Sequence, residues 1–110
     1  MSEHRIRIAT ISEFGDQTGI FKDIQIGGED RRVALFHHQD LYYALDETCP
    51  HRGGPLHSGP IQDGCVLCPW HSWRFELSTG VSPVNPLSRV DAYQVEREGD
   101  ALYLILEQTT

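Results

Sequence analysis

Apolar and polar residues alternate with period two along both ends of this chain, which is the spacing of half-buried β-strands. Polar and glycine-containing turns separate the alternating segments, and Gly99 suits the positive φ of a tight hairpin. A helical turn is expected at Glu13–Thr18 alone, because no longer stretch has a 3.6-residue period. The pattern predicts strands at Arg5–Ile8, Ile20–Ile26, Arg31–His37, Leu41–Leu45, Ala92–Arg97 and Ala101–Leu106.

The alternation breaks down in the middle of the chain, from about residue 46 to residue 87. This segment contains all six prolines and all three cysteines. Short strands are predicted within it at Cys65–Leu67 and Trp73–Leu77. The sequence therefore predicts one all-β domain over residues 1–110, with an antiparallel β-sandwich-like base that carries a loop-rich insert.

Charge and hydropathy exclude several classes of partner. The formal net charge is -7, and no segment concentrates Lys or Arg, so neither nucleic acid nor an anionic membrane is an expected partner. The sequence has no apolar stretch of signal-peptide length and no run approaching the ~20 apolar residues of a membrane span. A cytoplasmic location is expected. In a reducing compartment, clustered Cys and His indicate metal or redox chemistry.

Two mixed Cys/His pairs lie in the insert. Cys49 and His51 form Cys-x-His, and Cys68 and His71 form Cys-x-x-His after a further sixteen residues. Thiolate and imidazole ligands suit zinc, iron–sulfur clusters or copper. A structural zinc site usually pairs like with like, so a zinc-stabilised binding module is the less favoured alternative. Mixed pairs suit a two-iron cluster, because each loop then donates one ligand to each iron.

The motif and its flanks resemble the Rieske iron–sulfur family. The resemblance implies one [2Fe-2S] cluster per chain, with Cys49 and Cys68 on one iron and His51 and His71 on the other. It also implies a β-sandwich-like base and a proline-rich loop that covers the cluster. The flanking residues that carry it are Pro50, Gly53–Leu56, Pro69, Trp73–Phe75, Ser78–Gly80 and Ser82–Leu87.

Departures from respiratory members of that family indicate a soluble, low-potential ferredoxin. Those members have an extra disulfide between the two loops, where this chain has Gly54 and Trp70. They also have a Ser and a Tyr that donate hydrogen bonds to sulfur, where this chain has Trp73 and Phe75. Fewer donors leave the reduced, more negative cluster less stabilised.

The resemblance implies a one-electron carrier that accepts electrons from a flavin-dependent reductase. Its acceptor would be a terminal oxidoreductase such as an aromatic-ring oxygenase. The alternative setting is the small subunit of an NAD(P)H-dependent nitrite reductase. No catalytic site of its own is expected, since the remaining histidines form no convincing triad with a carboxylate for a mononuclear iron.

Four other residues invite a functional interpretation. Cys65 and Cys68 form Cys-x-x-Cys, but residues three apart on a strand face opposite sides, so Cys65 is interpreted as a small buried hydrophobe. His37 and His38 are expected at a solvated turn. His57 follows the first loop and is interpreted as a surface residue, with an approach to the cluster as the alternative.

Overall fold

A computed structural model describes residues 3–26, 28–48, 55–69, 73–83 and 88–107. The described residues form two short 3-10 helices, Ile11–Phe14 and Leu56–Ser58. Neither helix has the length or the apolar character needed to cross a membrane. The strands are β1 Glu3–Thr10, β2 Gly19–Ile26, β3 Glu29–His38, β4 Leu41–Asp46, β5 Ile61–Gln62, β6 Cys65–Leu67, β7 Arg74–Glu76, β8 Ala92–Glu98 and β9 Ala101–Glu107.

The long strands form a six-stranded sheet in the order β1-β9-β8-β4-β3-β2, and every adjacent pair is antiparallel. We call this sheet the base. It is close to a barrel, because its two edge strands, β1 and β2, approach each other without pairing. Its interior is filled by aliphatic residues with Phe14, and the buried members are Ile8, Ala9, Phe14, Val33, Leu35, Ala44, Leu102 and Leu104.

A second, three-stranded antiparallel sheet is formed by β5, β6 and β7 in that order. It lies in the region that the sequence marks as the insert. A separate apolar cluster joins this small sheet to the base, and its buried members are Ala34, Phe36, Leu45, Leu56, Val66, Cys68, Phe75, Leu77 and Val90.

Strand β3 is buried on both faces, which is why the two regions meet there. Val33 and Leu35 belong to the cluster inside the base, whereas Ala34 and Phe36 belong to the cluster beneath the insert. Successive residues of a strand point to opposite faces, so one strand serves both cores. The run 33–36 is accordingly continuously apolar instead of alternating.

The predicted all-β architecture is confirmed, and two local predictions are wrong. The helical turn lies at Ile11–Phe14 instead of Glu13–Thr18, because the Glu13 carboxylate accepts the Thr10 N–H at 2.7 Å and starts the turn earlier. Gly15, at φ +55°, ends it. Strand β3 begins at Glu29, two residues before the predicted start at Arg31.

Candidate functional site

Of the four predicted ligands, Cys68 lies within the described part of the chain. Cys68 is described, and its side chain is 1% exposed within the apolar cluster beneath the insert. Cys49, His51 and His71 lie outside the described residues. Among the described residues alone, no three His, Cys, Asp or Glu side chains converge on a metal position. The four-ligand set therefore stays a prediction.

The chain is paired on both sides of residues 49–54, the first loop, which contains the predicted ligands Cys49 and His51. Thr48 and Pro55 form an isolated antiparallel bridge on either side of it. Next to that bridge, the Leu56 N–H donates to the Glu47 carbonyl at 2.9 Å, and the Glu47 N–H donates to the Arg32 carbonyl of β3 at 3.0 Å. The chain that leads to Cys49 and the chain that follows the loop are thus held together and fixed to the base.

The second loop, residues 69–72, follows the predicted ligand Cys68 and contains the predicted ligand His71, and the β6–β7 pairing closes it in the same way. Leu67 pairs with Arg74, and the Cys68 N–H donates to the Trp73 carbonyl at 2.8 Å. The Leu67 N–H also donates to the Pro60 carbonyl at 2.9 Å, which joins this loop to the segment that follows the first one. Trp73 packs, half-buried, against the cluster that contains Cys68.

The segment expected to cover the cluster is closed by a third pairing. Val81 and Arg89 form an isolated antiparallel bridge, and the buried Ser82 donates its N–H to the Ser88 carbonyl at 3.0 Å. Residues 84–87 lie outside the described residues. Val90 anchors this pairing in the same apolar cluster as Leu56 and Cys68. The bases of the three loops therefore meet over one core.

A carboxylate that the sequence analysis missed lies beside the first loop. Glu47 is 4% exposed, and its Oε1 accepts the His57 N–H at 2.8 Å. Its Oε2 contacts the Nδ1 of the same His57, a short polar contact. A buried charge needs such partners, because desolvation costs several kcal/mol. No pattern pointed to this pair, since its members are ten residues apart on either side of the loop.

His57 is held from its other side by residues of the base. The ring of Phe21 lies 4.9 Å from the His57 ring, and the Arg32 guanidinium lies 4.6 Å from the Phe21 ring. The His57 carbonyl fits against Gly19, where a Cβ would lie 2.2 Å from its oxygen. The side chain of His57 is 25% exposed. Its expected position on the surface is thus only partly right, because it also pairs with a buried carboxylate.

Cys65 is buried in β6, as expected for a small hydrophobe. Burial is the main reason that the pKa of its thiol is raised, with Glu76 adding to the effect. A thiol held protonated is a poor nucleophile and a poor ligand. His37 is also half-buried, and its ring stacks on Tyr42 at 4.5 Å with the planes 8° apart. The solvated turn expected for His37 is therefore only partly right, because His37 keeps some exposure but lies in β3 and pairs across the strands with Tyr42.

Comparison with known proteins identifies the family. The model of the Rieske [2Fe-2S] domain family matches residues 4–100. A Rieske domain-containing protein of Homo sapiens is 40% identical over 70 residues, which are 54% of this chain and 45% of that protein. This chain thus spans less than half of that relative's length.

One further relative and one solved structure match over nearly their whole length. The ferredoxin component of the naphthalene 1,2-dioxygenase/salicylate 5-hydroxylase systems of Ralstonia sp. is 26% identical over 110 residues, covering 97% of this chain and 100% of that protein. The structure of a proposed NADH-dependent nitrite reductase small subunit from Mycobacterium tuberculosis superposes with a TM-score of 0.83. That comparison covers 99% of this chain and 100% of the other at 16% identity, so it shows a shared fold.

Proposed function

Because this chain belongs to the Rieske [2Fe-2S] domain family, we propose that it carries single electrons from a flavin-dependent reductase to a terminal oxygenase. The observation that carries the proposal is its full-length similarity to the ferredoxin component of a dioxygenase system. The family's cofactor is a [2Fe-2S] cluster. When bound, such a cluster would supply reversible one-electron redox chemistry.

We propose that Cys49 and Cys68 hold one iron and that His51 and His71 hold the other. Two thiolates and two neutral imidazoles give the donor set of a Rieske centre. The described residues fit this assignment, because Cys68 is buried beside the closed base of its loop and the first loop is closed at the same core. Trp73 and Phe75 offer no hydroxyl near Cys68, which favours a low reduction potential.

The chain's own residues would orient the ligands and exclude water. The apolar cluster beneath Cys68 shields the thiolate side from solvent, and Phe75 is fully buried within that cluster. The three closed loop bases reduce the freedom of the ligand segments before the cofactor arrives. Less freedom lost on assembly favours cofactor retention.

The proposal is tested on protein purified with its cofactor. We expect two iron and two acid-labile sulfide ions per chain and the electron paramagnetic resonance signal of a reduced Rieske centre. Replacing Cys49, His51, Cys68 or His71 with Ala should abolish that signal. Cys65→Ser is the matched control, since it removes a buried thiol from the same insert and should keep the signal. One zinc per chain and no iron would contradict the proposal.

The partners are tested separately by electron delivery. The reduced protein should be oxidised in one-electron turnovers by an aromatic-ring oxygenase that lacks its own ferredoxin, with product formed in proportion. The fold shared with the nitrite reductase small subunit favours a second setting. Oxidation by a nitrite reductase catalytic subunit, with none by the oxygenase, would assign the protein to that setting and reject the oxygenase.

A further inference from the structure

Glu47 is a buried carboxylate at the start of the first ligand loop. Two polar or charged residues are buried in the described part of the chain, Glu47 and Ser82, and Glu47 is the one that carries a charge. It lies two residues before Cys49. Two residues of chain span at most about 7 Å, which limits the separation of the two Cα atoms and places a charge on Glu47 in the neighbourhood of a group that Cys49 holds.

One residue satisfies both oxygens of this carboxylate. The backbone N–H of His57 donates to Oε1 at 2.8 Å, and the Nδ1 of His57 contacts Oε2. Because Glu47 precedes the loop and His57 follows it, the pair ties the two ends of the loop together. The Leu56 N–H, which donates to the Glu47 carbonyl at 2.9 Å, makes the same link through the backbone.

The neighbouring cation does not neutralise Glu47 directly. The Arg32 side chain is 53% exposed and is bound to Asp23, with Nε 2.7 Å from Oδ1. The hydrogen bond with Asp23 is the main reason that the pKa of Arg32 is raised, and the charge of Glu47 adds a smaller effect. An exposed, paired guanidinium is screened by solvent, whereas the Glu47 carboxylate is buried.

We propose that the Glu47 carboxylate is a fixed negative charge that lowers the reduction potential of the centre and that His57 is the residue that positions it. The proposal rests on the proposed role of Cys49 as a ligand. Reduction adds an electron, and a nearby anion disfavours the more negative product. The buried position of Glu47 keeps this effect strong, since little water screens it.

The decisive variant is Glu47→Gln. The amide has nearly the same shape and can keep a partner for each His57 contact, because its oxygen accepts the backbone N–H and its nitrogen donates to Nδ1 once the His57 proton is on Nε2 instead of Nδ1. The negative charge is removed, and the position of the His57 proton is the one accompanying change. Protein-film voltammetry should show a higher potential than in the parent protein. The matched control is Glu98→Gln, which removes one charge from a side chain that is 65% exposed at the far end of β8, and its potential should stay close to the parent value.

Equal potentials in Glu47→Gln and Glu98→Gln would overturn the proposal. A Glu47→Gln protein that assembles no centre would also overturn it, because the amide preserves both hydrogen-bonding positions. The role of His57 is tested by two further variants. His57→Asn keeps a side-chain donor for Oε2 and should retain the parent potential. His57→Leu leaves that oxygen without a donor and should change the potential and shorten the lifetime of the centre.

These measurements are independent of the partner assays. The potential is recorded on the isolated protein at an electrode, with no reductase or oxygenase present. Failure to deliver electrons to an oxygenase would therefore overturn the proposed function alone. A potential that does not respond to Glu47→Gln would overturn the present inference and leave the carrier function in place. If the His57→Leu protein kept the parent potential and the parent lifetime of the centre, the positioning role proposed for His57 would be wrong.

Discussion

The base and the insert are held together in different ways. In the base, β2 pairs with β3 along its whole length of eight residues, and β1 pairs with β9 over most of its own. In the insert, the strands are two or three residues long. The insert depends instead on the closed loop bases and on one apolar cluster against β3 and β4. The described part of the region that carries the proposed ligands thus has little sheet structure of its own and is stabilised by packing against the base.

The largest predicted effect is loss of the cluster when a side chain is added at Gly59, where the backbone lies very close to another segment of the insert. Gly59 has ordinary backbone angles, φ -78° and ψ 152°, but a Cβ there would lie 1.9 Å from the carbonyl oxygen of Leu67. Gly59→Ala therefore has to displace the backbone next to Cys68. We expect loss of the visible absorption of the cluster, while the far-UV circular dichroism of the base persists.

Gly64→Asn is the matched control for that variant. Gly64 has φ +76° and open space around its Cα, and Asn tolerates positive φ better than most residues. This protein should keep its cluster absorption. If Gly59→Ala held the cluster as well as Gly64→Asn, the insert would be far more adaptable than its packing indicates.

Two leucine truncations should separate the two cores. Leu35 is buried in the cluster inside the base, and Leu45 is buried in the cluster beneath the insert. Each change to Ala should cost about 2–5 kcal/mol in the free energy of unfolding. Leu35→Ala should lower the thermal midpoint seen by circular dichroism, whereas Leu45→Ala should first accelerate loss of cluster absorption. Identical behaviour of both signals in both variants would show that base and insert unfold as one cooperative unit.

The smallest effect concerns the border between the two regions. The Tyr93 hydroxyl of β8 donates to Asp46 Oδ1 at 2.7 Å, where β4 ends and the insert begins. Burial, followed by the hydrogen bond to Asp46, raises the pKa of Tyr93 to about 12. The folded state therefore keeps a proton that the unfolded chain releases above its ordinary pKa of about 10. Stability is complete below that pH and falls as the pH rises towards 12.

Tyr93→Phe should flatten this alkaline loss and cost about 1 kcal/mol at neutral pH, where the hydroxyl is bonded. Urea midpoints measured between about pH 8 and pH 11 check both effects. Parallel curves for the parent and the variant would assign the alkaline transition to other groups.

The sequence predicted the base better than the details of the insert. The sequence located β2, β4 and β9 to within a residue or two. Strand β2 has one more buried face and one more exposed face, whereas β4 and β9 are nearly continuous apolar runs bounded by polar turns. The prediction for Cys65–Leu67 is confirmed at both ends. Strand β5 was missed, since two residues show no period. Its pairing depends on the turn at Asp63 and Gly64, which have φ +53° and +76°.

The contact between Glu47 and His57 was also missed, because nothing in the local sequence pattern indicates it. Glu47 lies within an otherwise polar stretch, and a single sequence gives no sign that its side chain is buried. Its partner His57 becomes a neighbour only when Pro55 pairs with Thr48 across the loop. The ligand motif, in contrast, is readable because the chemistry of a mixed Cys/His centre fixes residue types at short spacings.

The pairing at both ends of each loop also makes the loops exchangeable. Thr48 lies opposite Pro55, Leu67 opposite Arg74, and Val81 opposite Arg89, so each loop leaves the framework and returns to it at adjacent points. Closure entropy grows slowly with length for such a segment, with each doubling costing about 0.6 kcal/mol. Segments of other lengths and compositions can therefore be grafted between these anchors. The scaffold thus offers a way to engineer redox properties by loop transplantation, with the strands left unchanged.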